Sequence, residues 1–279
     1  MTGKEPSPAP YLATSFRDVD RSGDTTAHTK CLDMISDIPF YREVKEESFR
    51  IIAGTDPDLV LDAGCGAGSD LCTLAGILPA KSRVVGLDAS ASLLATAAGR
   101  TLPLRDRCSL VRGDLLHIPF GSGTFSACRI DRVLQHIHDP AQVIRELVRV
   151  IRPGGILVAF DNDWDTLSIS LNDMTASVGI ARFWSDSFAS GRIGKDLAGI
   201  FRDAGLTEIC VEKKTLTLTD LTVAEKLFDI PAMLERVTHA GISSENETAA
   251  IRKDLAERAG NGTFTSGYTA YFVWGRKPE

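Results

Sequence analysis

The sequence has no cysteine pair at CxxC spacing, no run of apolar residues near the roughly 18 that cross a bilayer, and no basic excess. Each absence excludes a class. Its six cysteines, at 31, 65, 72, 108, 128 and 210, stand apart without metal-ligand spacing. A disulfide framework or a zinc ribbon is therefore excluded, and the thiols read as small buried residues in a reducing compartment, so a cytoplasmic protein is expected. The first 14 residues lack the basic and apolar regions of a secretory signal, and no membrane association is expected. A net charge of −6 argues against a broad phosphate-tracking surface, so nucleic acid is not an expected partner. There is no internal repeat, and only residues 1–10, rich in proline and polar groups, offer nothing to bury. What remains is an ordinary globular composition, 43% apolar and 24% charged over 279 residues, enough for one large domain with a cap.

The stretch Leu61-Asp62-Ala63-Gly64-Cys65-Gly66-Ala67-Gly68-Ser69-Asp70 organises the chain. Residues 59–62 read as a short buried strand ending on an acid. Three glycines at alternate positions then let the backbone turn sharply and approach a ligand. Ser69 is placed to cap the following helix, in which Leu71, Leu74, Ala75 and Leu78 recur at helical spacing. Strand, glycine turn and helix N-terminus make a site for the polar part of a nucleotide-like cofactor.

Four further strands are expected at 83–88, 108–112, 125–130 and 156–160, alternating with helices; Asp139-Pro140 starts the helix before the last of them. Asp62, Asp88, Asp114, Asp131 and Asp161 all fall at the carboxyl ends of these strands, where ligands bind in doubly wound sheets. Two closing strands are expected at 210–218 and 264–275. The expected fold is α/β, a doubly wound Rossmann-like, seven-stranded, mostly parallel sheet. Its expected parts are a disordered N-terminus (1–15), an N-terminal helical lid (16–56), a cofactor-binding core (57–161), a cap insertion (162–194) and a C-terminal part of the core (195–279) with a helical excursion over 222–259.

An acid ending the second strand can accept from both ribose hydroxyls, which suits Asp88. Asp114 ends the third strand where an adenine edge would lie, with the Leu115 N–H beside it. The dinucleotide fingerprint G-x-G-x-x-G fits less well, because its third glycine position holds Ser69.

Leu61–Ser69, Gly86-Leu87-Asp88-Ala89-Ser90, Gly113-Asp114 to Pro119-Phe120, Val133-Leu134-Gln135-His136-Ile137-His138-Asp139-Pro140 and Leu147 to Gly155 follow in order and at fitting intervals. Over residues 40–160 the chain thus resembles class I S-adenosylmethionine-dependent methyltransferases, of the ubiquinone/menaquinone methyltransferase-like (type 11) group. The resemblance implies S-adenosylmethionine as cofactor. It also implies that Asp62, Gly64, Cys65 and Gly66 meet the methionine part and ribose, Asp88 and Ala89 the ribose, Asp114 and Leu115 the adenine, and Asp131 the amino group.

Methyl transfer to an oxygen of high pKa needs a base, and His136 occupies the histidine of the family's Leu-x-His motif. Asp161, on the adjacent strand, is expected to orient its imidazole. Asp161, Asp163 and Asp165 alternate, but a solvated acidic loop is the commoner outcome and no metal is expected. Trp164, Phe183, Trp184, Phe188 and Phe228 could line an apolar acceptor pocket. The expected activity is methyl transfer to an oxygen or nitrogen of a small, largely apolar metabolite in a secondary-metabolite pathway. The alternatives are a cofactor-binding cyclase on the same fold and a non-catalytic binding module. The expected partners are this small-molecule acceptor and, at most, a second copy of the chain in a homodimer.

Overall fold

A computed structural model describes residues 12–21 and 25–279. One helical turn, α1 (Leu12–Ser15), and a 3-10 stretch lead into α2 (Thr25–Asp37) and α3 (Pro39–Ala53). The core then alternates as β1 (Leu59–Ala63), α4 (Ser69–Ile77), β2 (Arg83–Asp88), α5 (Ala91–Thr101), β3 (Cys108–Arg112), β4 (Phe125–Asp131), α6 (Pro140–Val150) and β5 (Ile151–Ile169). After α7 (Met174–Asp186) and α8 (Ile193–Asp203) come β6 (Thr207–Leu218), three helices, α9 (Leu221–Phe228), α10 (Ile230–His239) and α11 (Glu245–Asn261), and β7 (Ser266–Arg276).

The seven strands form one sheet in the order β3-β2-β1-β4-β5-β7-β6. β1 to β5 run parallel, and β7 lies antiparallel between β5 and β6. Strand alternation sends Val60, Val84, Ala127, Ile156 and Val158 to one face and Leu61, Leu87, Cys128, Leu157 and Ala159 to the other, each set inside a separate buried cluster. Helices cover both faces of the sheet's centre, and strands such as β1 and β2 accordingly read as short, mostly apolar runs. α6 shows the fit: Asp139 accepts from the Gln142 N–H at its start, Pro140 sits in its first turn, and Val143, Ile144, Leu147 and Val148 are buried. Fully burying such a side chain contributes about 1.5–3 kcal/mol. The sheet order reverses between β1 and β4, so a crevice opens above their carboxyl ends.

Three expectations change. Most of the expected disordered terminus, 1–15, lies outside the described residues, but Leu12–Ser15 form a helical turn. Ser69 does not cap α4; Gly68, in the left-handed region at φ 78, holds the cap position, and the Ser69 hydroxyl accepts from Arg100. The region expected as a cap from 162 begins instead as strand. β5 runs on to Ile169 and pairs Asp163 with Thr269 and Ile169 with Ser266. The acidic residues hide this continuation in the sequence, yet Trp164, Leu167 and Ile169 are buried along it.

Candidate active site

The glycine loop is built on positive φ angles, 75° at Gly64 and 52° at Gly66, which favour glycine. A Cβ on Gly64 would stand 2.4 Å from a Val133 methyl, so the loop also lacks room for a side chain there. The Gly64 and Cys65 N–H groups both donate to the Leu87 carbonyl, at 2.7 and 3.0 Å, tying the loop to the end of β2. The Gly66 N–H donates to Asp88 Oδ2 at 2.8 Å, and the Ser90 N–H to Asp88 Oδ1 at 2.9 Å. Burial raises the Asp88 pKa while these amides oppose it. Its carboxylate is thus fixed in place with lone pairs left for a ligand.

Beneath the loop lies a buried ion cluster. Arg129 in β4 reaches Asp62 at 2.9 Å, Asp70 at 3.0 Å and Asp131 at 2.5 Å, and donates from Nε to Ser48. Lys45 pairs with Asp70 at 2.8 Å and Arg132 with Asp131 at 2.9 Å, so three cations balance three carboxylates. Burial pushes Asp62 up to about 6 despite Arg129. For Asp131 burial is outweighed by Arg132 and Arg129, which hold it down at about 2.

Above the loop a cavity of about 290 Å³ is lined at one end by Gly64, Gly66, Asp88, Ala89, Asp114 and Leu115, and at the other by His136, Trp164, Trp184 and Phe188. Phe16 and the Cys31, Leu32 and Ile35 face of α2 also border it. Residues 61–159 match a family model described as a methyltransferase domain. An uncharacterised 37.1 kDa protein in transposon Tn4556 of Streptomyces fradiae is 35% identical over 243 residues, spanning 87% of this chain and 69% of that one. A demethylmenaquinone methyltransferase of Lactiplantibacillus plantarum is 38% identical over 104 residues, 37% of this chain and 44% of that one. The chain belongs to the class I S-adenosylmethionine-dependent methyltransferases. The YcgJ protein of Bacillus subtilis shares the fold, with a TM-score of 0.61 at 16% identity over 85% of this chain and 99% of that one. S-adenosylmethionine is the cofactor.

The methyltransferase's own residues suit that group. The glycine loop leaves a cradle that side chains would fill, Asp88 faces it as a fixed carboxylate, and the Leu115 N–H makes no hydrogen bond among the described residues. Asp114 is less free, because its Oδ1 accepts from the Leu116 N–H at 2.9 Å and caps a short 3-10 turn. Asp131 also borders the cavity. Asp62 and Cys65 do not: the Asp62 carboxylate is turned to Arg129, and the Cys65 thiol lies under the loop against Gly86, where burial raises its pKa.

The expected pairing of His136 with Asp161 is not formed. Asp161 accepts from the backbone N–H groups of Gln135 at 3.2 Å and Asn162 at 2.9 Å, and stays off the cavity wall. A buried carboxylate beside a tight turn is satisfied by the turn's own amides, and burial lifts its pKa to about 7. The His136 ring lies between Phe16 and Phe188, with centroids 5.9 and 5.7 Å away. Its side-chain neighbour is Gln135, not an acid. Burial, with Arg132 nearby, holds its pKa at about 3, so the ring is neutral. Asp163 and Asp165 turn away to Lys195 and Arg192.

Of the expected aromatics, Trp164, Trp184 and Phe188 reach the cavity, while Phe228 packs behind them against Trp164 and Trp184. Arg129, Arg132, Tyr41 and Gln135, none of them among the expected site residues, also build the site or its floor. Arg129 had a signal: an arginine inside the apolar strand Phe125–Ile130 requires buried carboxylate partners.

Proposed function

We propose that this methyltransferase acts on an oxygen or nitrogen of a small, largely apolar metabolite, in a secondary-metabolite pathway. The observation that carries this reading is one cavity with a polar cradle at one end and an aromatic wall at the other. Trp164 stacks on Phe188 with centroids 5.2 Å apart, and Trp184 meets both edge-on, giving a flat apolar surface for the acceptor. In this reading Gly64, Gly66 and Asp131 hold the methionine part of the cofactor, Asp88 and Ala89 the ribose, and Asp114 and Leu115 the adenine. The bound cofactor supplies an electrophilic methyl group. The chain's task is alignment, because in-line displacement gains roughly 7–11 kcal/mol from positioning alone.

The N-terminal helices serve as a lid in the same reading. Asp20 accepts from the Ala91 N–H at 2.9 Å and the Ser90 hydroxyl at 2.7 Å, and Arg100 pairs with Asp33 at 2.8 Å, fastening this segment over α5. A test is to follow S-adenosylhomocysteine release with hydroxylated and amino-substituted aromatic acceptors. In Phe188→Ala the acceptor KM should rise about tenfold, as loss of apolar contact implies, with cofactor affinity unchanged. Unaltered acceptor KM would overturn the assignment of the aromatic wall.

A further inference from the structure

The Trp164 indole N–H can only donate, and it donates to Gln135 Oε1 at 2.8 Å. The Asn162 amide also donates to that oxygen, at 3.0 Å. The Gln135 amide group therefore has its nitrogen on the other side. There it donates to the Arg132 carbonyl, a group that can only accept, at 3.2 Å. Two one-way partners thus fix the orientation of Gln135. The same NH2 lies 3.2 Å from His136 Nε2, so the network assigns Nε2 as an acceptor, and the proton of the neutral ring sits on Nδ1. Nδ1 makes no hydrogen bond among the described residues, and the ring lines the cavity.

The other titratable groups around the acceptor end give no base. Asp131 is held by Arg129 and Arg132. The Tyr41 hydroxyl is engaged with that of Tyr268, and burial pushes Tyr41 up to about 12. Burial takes Cys31 up to about 11. Asp161 lies behind the turn, and Asp88 and Asp114 stand at the cofactor end. The donors are His136 Nδ1–H and Arg132, whose terminal nitrogens make no hydrogen bond among the described residues and which lines the same cavity.

We propose that Gln135, fixed by Trp164, locks His136 as the Nδ1–H tautomer, and that the site takes an acidic hydroxyl of phenol or enol type, bound as its oxyanion. This rests on the methyl-transfer reading above. The acceptor's proton leaves to solvent on binding. The oxyanion's electron pair forms the new O–C bond, and the electrons of the broken S–C bond stay on sulfur. Gln135 is a positioning residue; His136 and Arg132 stabilise the oxyanion.

The test uses the full chain loaded with S-adenosylhomocysteine and 4-nitrophenol as the probe. The phenolate band should grow at pH values where the free phenol is protonated, a shift of about one unit, or tenfold preference for the anion. His136→Phe should at least halve that shift. An unchanged band, or a suppressed one, overturns the proposal. In parallel, nitrogen NMR of 15N-histidine-labelled protein should show a protonated Nδ1 and an unprotonated Nε2 across about pH 5–8. A protonated Nε2, or a His136 midpoint near neutrality, overturns the lock. Calorimetry of S-adenosylhomocysteine on the same sample separates the two readings. Binding without a spectral change sinks only the oxyanion site, whereas no binding defeats both.

Discussion

Arg129 and Asp62 meet at 2.9 Å on neighbouring strands directly beneath the glycine loop, and neither side chain is more than 4% exposed. The loop therefore rests on an ion cluster and not on an apolar floor. Burial alone would disfavour every charge in it, so the cluster holds only while it is complete.

Arg129→Met should accordingly destabilise the fold by about 3–5 kcal/mol, the usual cost of leaving buried carboxylates unpaired. Denaturant unfolding measures this. A loss below about 1 kcal/mol, the range of exposed pairs, would show that the cluster is solvated.

Asp88→Ala removes a fixed carboxylate that also pins the Gly66 amide. Charge-assisted hydrogen bonds of this kind contribute about 1.5–3 kcal/mol, so cofactor affinity should fall about 10- to 100-fold. Calorimetric titration with S-adenosylmethionine gives the ratio directly.

Gly64→Ala combines a φ of 75° with a 2.4 Å approach to Val133. Strain of this order costs about 1–3 kcal/mol, and cofactor binding should weaken in parallel. Val133→Ala in the same chain should restore part of the stability by removing the clash while leaving the φ strain. A double variant no better than the single one would assign the whole effect to the backbone.

Asp161 has a folded pKa raised to about 7. A carboxyl raised in this way binds its proton more readily in the folded chain. It adds stability that is full below about pH 4 and lost as the pH rises through about 7. Asp161→Asn cannot titrate, so its stability relative to the parent should improve across that window by an amount on the order of a few kcal/mol. Paired melts at several pH values check this, and a constant difference would contradict it.

The parallel half of the fold was legible because each strand from β1 to β4 is short, apolar and closed by an acid or a glycine turn. The helix start at Asp139 was legible too, since its side chain caps as its residue type suggests, and Ser90 caps α5 in the same way. The continuation of β5 was not, because Asp161, Asn162, Asp163 and Asp165 resemble a loop, while their partners in β7 lie about a hundred residues away. In the site, strand ends placed His136 and Asp161 near one another but could not show which groups each would bind. That was decided by Gln135, the residue between the two motif positions, whose amide takes the ring while Asp161 takes the backbone.

The antiparallel strand β7 follows both β5 and β6 in the sequence, yet it fills the slot between them and supplies Tyr268 against Tyr41. During synthesis, β5 therefore waits as an open edge until residues 266–276 have emerged, and β6 has no sheet to join before then. Such edges invite pairing with other chains, and contacts of long sequence separation form slowly. Yield in cells should then depend on how long a nascent chain stays without β7, making codon usage and chaperone supply over residues 170–276 matter more than changes at the glycine loop.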